Sequence, residues 1–221
     1  MPETEGQRLL KAGAEALDLS INDEQIRQLL HYLDLLLRWN KAYNLIANAP
    51  YPTLVARHLL DSLAVLPHLK GITAVDMGTG AGLPGMPLAL ADTSRHWWLV
   101  DSAGKRIRFL RHVVRDLGLA NVTPMVSRME AWTPPAAAPV VANDASNGLN
   151  AIILRAVTSP SQALNWVQHL LVPGCTLYLM MARQGMDELS QLPPGFELRQ
   201  CQSITVPFLT GERHLAMIET V

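Results

Sequence analysis

The amino-acid sequence predicts an α/β fold, with a seven-stranded, mostly parallel sheet covered by helices on both faces. After residue 71, short apolar runs alternate with helical stretches, which is the pattern of successive βαβ units. Before it, only helical periodicity appears. We therefore expect residues 1–70 to form a helical N-terminal extension and residues 71–221 to form one compact domain.

The clearest helical pattern lies in residues 21–41, where apolar side chains recur mostly at intervals of three and four. Asn22 can cap this helix, and Gln25 stands three residues later, as a capping box requires. Shorter helices are expected within residues 6–17 and 53–66.

In the domain, the strands are expected at residues 72–77, 97–100, 122–126, 151–154, 176–181, 196–204 and 215–219. Helices are expected near residues 84–92, 104–117, 159–171 and 186–191. The late pair of strands, poor in helix, fits a sheet whose last strand is inserted antiparallel. Residues 133–149 are rich in Pro, Ala and Asn, which predicts an exposed loop.

Composition narrows the possible classes of protein. No apolar run approaches the ~18 residues that a membrane span needs, and the N-terminus does not have the pattern of a secretory signal. Cys175 and Cys201 belong to no cluster spaced for a metal, so we expect reduced structural thiols and no metal. These observations predict a cytoplasmic protein that does not bind a membrane, and we expect a monomer.

Charge indicates that any nucleic-acid binding is local. The formal net charge of −1 argues against non-specific coating of nucleic acid, which depends on many phosphate contacts. Residues 105–115 nevertheless concentrate basic side chains, among them Arg108 and Arg111. This predicted helix is either a patch that contacts RNA or an ordinary solvated face.

The glycine-rich loop at residues 74–85 is the most informative segment of the sequence. A predicted strand ends near Asp76 and runs into Gly78, Gly80 and Gly82, which permit tight turns and close approach of a ligand. Residues 80–85 also match the GxGxxG pattern of dinucleotide-binding enzymes. Asp76 favours the other interpretation, a Rossmann-like class I methyltransferase that binds S-adenosylmethionine, because a carboxylate there would face a dinucleotide's pyrophosphate.

Acidic and apolar residues after the next two strands complete a possible nucleoside site. Asp101 follows the second strand and can accept hydrogen bonds from both ribose hydroxyls, although an acid there could instead cap the next helix. Met129 and Glu130 follow the third strand, where they could supply an apolar contact and an acceptor to adenine.

Five motifs together carry a family resemblance. They are WNKAYNL at 39–45, RHLLDS at 57–62, DMGTGAGLPG at 76–85, DSAGKR at 101–106 and GERHL at 211–215. On these residues the chain resembles the RsmG family, also called GidB or glucose-inhibited division protein B, which are bacterial 16S rRNA guanine-N7 methyltransferases. The resemblance covers nearly the whole chain.

The resemblance implies S-adenosylmethionine as cofactor and 16S rRNA or the small ribosomal subunit as partner. It places Gly78 and Leu83 in the cofactor loop, Met129 and Glu130 beside the adenine, and Arg155 at the cofactor and substrate site. Two positions depart from the family pattern. Ala81 replaces a frequent Pro, and Met181 stands where the family usually carries a Lys, with Arg183 two residues later.

Several polar residues are candidates for substrate contact. Arg155 ends a predicted strand, at the edge where α/β sheets form their sites. His58 and Asp61 lie three residues apart on a predicted helix and either face RNA or tie the extension to the sheet. Arg213, in the last motif, is a further expected RNA contact.

The chemistry inferred for the site needs no catalytic base. Guanine N7 is a lone-pair nucleophile, so holding it in line with the transferred methyl can supply most of the catalysis. Two other classes of function remain open from the residues themselves. They are a nicotinamide-dependent oxidoreductase that uses the same glycine loop and a non-catalytic nucleoside-binding protein.

Overall fold

The computed structural model describes residues 3–135, 148–156, 159–183 and 186–221. The N-terminal region is helical, as expected, with α1 at Glu5–Ala16 and α2 at Asp23–Tyr43. The predicted helix within residues 53–66 is a composite of α3 at Tyr51–Leu54, a π-helical segment at Val55–Leu60 and α4 at Asp61–Leu63. A 3₁₀ turn at Leu66–His68 leads towards the sheet.

The described residues form one seven-stranded sheet. Its strands are β1 at Thr73–Met77, β2 at His96–Asp101, β3 at Val122–Val126, β4 at Ala151–Arg155, β5 at Thr176–Met181, β6 at Phe196–Ile204 and β7 at Arg213–Thr220. Their order is β3-β2-β1-β4-β5-β7-β6. The first five strands are parallel, and β7 is antiparallel to both of its neighbours, so the predicted fold class is confirmed.

The helices that connect the strands are α5 at Gly85–Ala91, α6 at Gly104–Asp116 and α7 at Pro160–Val167.

Two helix predictions were wrong in part. The expected helix at 159–171 changes to a 3₁₀ turn at Gln168–Leu170, and the one at 186–191 is wholly a 3₁₀ turn. The second segment runs into Pro193 and Pro194, and a residue before proline is driven out of the α conformation. Within the predicted loop at 133–149, residues 136–147 lie outside the described part of the chain.

Side chains at the two ends of α2 fix where the helix begins and ends. Asn22 and Gln25 form the predicted capping box, with both side-chain–backbone distances at 2.9 Å. At the other end, the Asn40 side chain accepts a hydrogen bond from the Ile46 backbone N–H at 2.8 Å and donates to Asn48 at 3.1 Å. The motif at 39–45 therefore ends a helix and fixes the chain that follows it.

The core lies on both faces of the sheet. On one face, Leu29, Leu33 and Leu36 of α2 belong to the same buried cluster as Leu99 and Ile153 of the sheet. On the other face, a second cluster is formed by alternate strand residues and α7. The extension thus covers one face of the sheet, while its division from the domain as a separate unit stays a prediction.

Candidate active site

The loop after β1 is folded around the buried carboxylate of Asp76, which is 1% exposed. Its Oδ2 atom accepts hydrogen bonds from the Thr79 hydroxyl at 2.6 Å and from the Gly85 N–H at 2.8 Å. Burial raises the pKa of this carboxyl to about 6, although the two hydrogen bonds and the charge of Arg155 oppose the rise. Asp76 therefore holds the loop closed from inside.

A second contact supports the loop from the N-terminal extension. The hydroxyl of Tyr32, buried in α2, donates to the carbonyl of Ala81 at 2.9 Å. At Gly82, φ is +98°, and a Cβ atom would lie 2.7 Å from Leu110 of α6. Gly82 and the buried Leu83 thus belong to the packing beneath the loop, and they do not line the cavity on its outer side.

The outer side of the loop opens into a cavity of about 320 Å³, called here the loop cavity. Four predicted cofactor residues line it: Gly78, Asp101, Met129 and Glu130. The remaining lining residues, which sequence reasoning missed, are Ser102, Arg106, Ser127, Arg128 and Trp166. Arg106 stood in a motif that could have indicated it, but Trp166 comes from α7 and no local pattern points to it.

Glycine is favoured at position 78 by its backbone conformation. Its φ is +70°, in the left-handed region that side chains rarely adopt. A Cβ atom there would approach Met129 Cε to 2.6 Å and fill part of the loop cavity. The backbone at Gly78 can therefore lie directly against a ligand.

Asp101 organises the other wall of the loop cavity. Its buried carboxylate accepts hydrogen bonds from the N–H groups of Gly80 at 2.9 Å and Ala103 at 2.8 Å, and it pairs with Arg106 Nη1 at 3.1 Å. Helix α6 has Ala103 as its N-cap, so the alternative role of Asp101 as the helix cap was wrong. Arg106 Nη1 also approaches Oδ1 at 3.5 Å, so these contacts occupy the roughly four acceptor positions of the carboxylate. A ligand donor would take a position that the half-exposed Arg106 holds here.

A second cavity, of about 270 Å³, lies beyond the ends of β4 and β5 and is called here the arginine cavity. It brings together four predicted residues: His58, Asp61, Arg155 and Arg213. The Asp61 carboxylate pairs with Arg213 Nε at 2.8 Å and with Arg155 Nη1 at 3.4 Å. The two guanidinium groups thus share one buried counter-ion.

His58 presents a buried imidazole to the arginine cavity. The residue is 7% exposed, and within the described part of the chain neither ring nitrogen has a hydrogen-bond partner. Burial, followed by the charges of Arg155 and Arg57, lowers the pKa of His58 to about 4, so the ring is neutral near pH 7. Buried polar groups normally have partners, and this one lies on the π-helical segment, a feature frequent at functional sites.

Three of the arginines considered from the sequence, Arg108, Arg111 and Arg183, lie outside the two cavities. Arg108 and Arg111 are exposed on α6, and neither forms an ion pair among the described residues. Met181 lines the arginine cavity, whereas Arg183 points to solvent and pairs with Glu212 at 3.5 Å. Arg183 therefore does not take the place of Met181 in the cavity.

Among the described residues, no group of three His, Cys, Asp or Glu side chains is placed to hold a metal ion. None of the helices described here combines the length and the apolar character needed to cross a bilayer.

The strand order, the glycine loop after β1 and the acid at the end of β2 define a class I methyltransferase fold. Solved structures agree. A SAM dependent methyltransferase from Aquifex aeolicus matches with a TM-score of 0.52 and 17% identity, covering 74% of this chain and 91% of that one. The O-methyltransferase TomG from Streptomyces achromogenes matches with a TM-score of 0.58 and 12% identity, covering 99% of this chain and all of that one.

Sequence comparison identifies the family. The family model for rRNA small subunit methyltransferase G matches residues 25–216, and the chain belongs to this family. Proteins named ribosomal RNA small subunit methyltransferase G include one from Serratia proteamaculans, 42% identical over 96% of this chain and 98% of its own length. Another, from Alteromonas mediterranea, is 38% identical over 96% of this chain and 95% of its own length.

The family membership confirms the resemblance inferred from the five motifs and the prediction that the protein is a methyltransferase. Neither the nicotinamide-dependent oxidoreductase nor the non-catalytic binding protein finds support.

The buried carboxyl of Asp76 predicts a specific pH dependence of stability. The pKa of Asp76 rises on folding from 3.8 to about 6. As pH increases, the carboxyl therefore loses its proton at a lower pH in the unfolded chain than in the folded one. Asp76 should therefore stabilise the fold less at pH 6.5 than at pH 4, by roughly 2–3 kcal/mol. Asp76→Asn keeps an acceptor oxygen but cannot ionise. We therefore expect the stability of the wild type relative to this variant, measured as the difference in free energy of unfolding, to fall from pH 4 to pH 6.5.

Urea unfolding at a series of pH values measures this difference. Asp187→Asn, which removes an exposed carboxylate far from the loop in sequence, controls for the loss of one charge. A difference between wild type and Asp76→Asn that rises with pH would show that the hydrogen bonds outweigh burial and favour the ionised carboxylate.

Proposed function

We propose that the protein transfers the methyl group of S-adenosylmethionine to N7 of a guanine in 16S rRNA. The observation that carries this proposal is the position of the two cavities. Gly78 and Ser127 follow β1 and β3, and Asp101 and Arg155 end β2 and β4, so both cavities lie along the carboxyl edge of the parallel strands. Open α/β sheets bind their ligands at this edge.

The loop cavity fits the cofactor on chemical grounds. The missing Cβ at Gly78 leaves space for a nucleoside against the backbone. Asp101 would accept hydrogen bonds from the ribose hydroxyls in place of its two contacts with Arg106. Met129 would contact the adenine, and Glu130 would accept from its amino group. When bound, S-adenosylmethionine supplies an electrophilic methyl on a positively charged sulfur.

The arginine cavity fits a base that needs no deprotonation. Guanine N7 attacks through its own lone pair, so no proton has to be removed. Neither Arg155, which stays protonated, nor His58, with its pKa near 4, is suited to act as a general base at neutral pH. Arg155 would instead orient the guanine, with its guanidinium plane held by Asp61. Arg213 would supply a further hydrogen bond to the nucleotide, and the neutral imidazole of His58, with its nitrogens buried, would form part of the wall of the cavity.

The wider RNA surface would be formed by α6. Arg108 and Arg111 are exposed on the same helix whose first turn carries Arg106 into the loop cavity, so phosphates near the site could reach them. The proposed partner is 16S rRNA, either free or within the small ribosomal subunit. Such a substrate places the enzyme in the cytoplasm, where we expect it to act as a monomer.

Replacement of Gly78 tests the cofactor site. Gly78→Val should abolish measurable S-adenosylmethionine binding in calorimetry, because the side chain would occupy part of the loop cavity and strain a backbone with φ of +70°. Gly118→Val is a matched control, since Gly118 has a similar φ of +65° but open space around it. If both folded variants bind the cofactor as the wild type does, the loop cavity is not the cofactor site.

Replacement of Arg155 tests orientation of the guanine. Arg155→Lys keeps the charge but loses the planar, two-sided hydrogen bonding of a guanidinium. We expect a melting temperature near that of the wild type and a single-turnover methylation rate lower by at least ~10-fold, with cofactor and ribosomal subunits saturating.

Arg213→Lys is the matched control, because Arg213 pairs with the same carboxylate. It should weaken RNA affinity more than it lowers the rate at saturation. A rate for Arg155→Lys within twofold of the wild type would leave Arg155 with a structural role only.

The salt dependence of RNA binding tests α6. Replacing Arg108 and Arg111 together by Ala should weaken RNA binding and reduce the slope of log K against log salt by about 1 to 2, while cofactor affinity stays constant. Arg8→Ala with Arg199→Ala removes the same charge from exposed positions elsewhere. Equal slopes for the two double variants would identify α6 as an ordinary solvated face.

A further inference from the structure

The turn between β6 and β7 holds an exposed phenylalanine on a firmly anchored backbone. The Leu209 N–H donates to the Val206 carbonyl at 3.2 Å, which closes a four-residue turn. Val206 is buried and Leu209 packs against the core. Phe208, between them, is 58% exposed. The anchored backbone of the turn therefore holds Phe208 at the surface of the protein.

The backbone at Phe208 has a conformation that disfavours a bulky side chain. Its φ is +64°, in the left-handed region. Pro207 precedes it, so the turn has proline at its second position and a positive φ at its third, where Gly or Asn normally stands. A phenylalanine at this position costs stability and, being exposed, recovers little by burial. Strain of this kind without compensation is characteristic of functional positions.

The turn lies beside the arginine cavity. Ile204, which precedes the turn, and Glu212 and Arg213, which follow it, all line that cavity. Two further cationic side chains, Arg57 and Arg155, line the same cavity. The turn that carries Phe208 is therefore flanked at both ends by residues of a cavity that is lined by three arginines, Arg57, Arg155 and Arg213.

We infer that Phe208 stacks on an unpaired RNA base adjacent to the methylated guanine. Unstacked bases are bound by proteins mainly through aromatic faces, and stacking tolerates any base because each one has a π-face. The neighbouring arginines would hold the phosphates that flank this base. This inference rests on the proposed function, and it gives the RNA a sequence-independent contact on the side of the cavity formed by β6 and β7.

Two substitutions at Phe208 separate the contribution of the aromatic ring from that of the strained backbone. Phe208→Gly removes the ring and relieves the positive φ, so its melting temperature should equal or exceed that of the wild type. Its dissociation constant for small ribosomal subunits purified from cells lacking the gene should rise about 5- to 100-fold, the scale of one lost base stack. Phe208→Trp keeps a stacking ring and should bind within about threefold of the wild type.

The salt dependence of binding separates stacking from charge. No phosphate contact is lost in Phe208→Gly, so the slope of log K against log salt should match that of the wild type. Cofactor affinity should also be unchanged. Ile72→Ala controls for the loss of an exposed apolar side chain. Ile72 immediately precedes β1, at the amino ends of the parallel strands, whereas both cavities lie at their carboxyl ends.

Wild-type affinity in Phe208→Gly would overturn the inference, and so would a lowered melting temperature with weakened cofactor binding, which would show that the ring supports the fold. Equal weakening in Phe208→Gly and Phe208→Trp would also overturn it. The proposed function fails separately, if the wild-type protein forms no 7-methylguanosine in 16S rRNA as measured by nucleoside mass analysis.

Discussion

The buried carboxylate of Asp76 is the constraint on which the cofactor site depends. It lies at the end of β1 and accepts hydrogen bonds from Thr79 and Gly85, on either side of the glycine loop. A buried acid raises the free energy of the fold unless it is protonated or well bonded, and this one receives its donors only when the loop is closed. The conformation that brings Gly78 to the cavity is thereby linked to the stability of the sheet.

The N-terminal extension contributes to both cavities as well as to the core. Tyr32 of α2 bonds to the Ala81 carbonyl and so supports the loop from below. The π-helical segment and α4 supply His58 and Asp61 to the arginine cavity. Because the same helices cover one face of the sheet, their packing fixes these side chains relative to the strand ends. Substrate-facing groups are thus placed by an element outside the βαβ units.

Electrostatics in the arginine cavity favour orientation over proton transfer. Asp61 partly neutralises Arg155 and Arg213 and holds their guanidinium groups in position. Burial, together with the charges of Arg155 and Arg57, lowers the pKa of His58 and keeps it neutral. A chain with a net charge of −1 can still attract a polyanion at such a place, because the cationic side chains are gathered locally. This arrangement suits a nucleophile that already carries its lone pair.

The sequence by itself determined the strands, the capping box of α2, the glycine loop and the family, because these depend on residues close together in the chain. Periodicity, capping and turn chemistry act over a few residues, and the five motifs are contiguous. The sequence also pointed to Arg155, Asp61 and Arg213 singly. Only the tertiary structure decided that they form one ion-pair cluster, since Asp61 is separated from Arg155 by 94 residues and from Arg213 by 152. It likewise decided that Gly82 faces the core and that Trp166 lines the loop cavity, because side-chain direction at such positions follows from how the helices pack against the sheet.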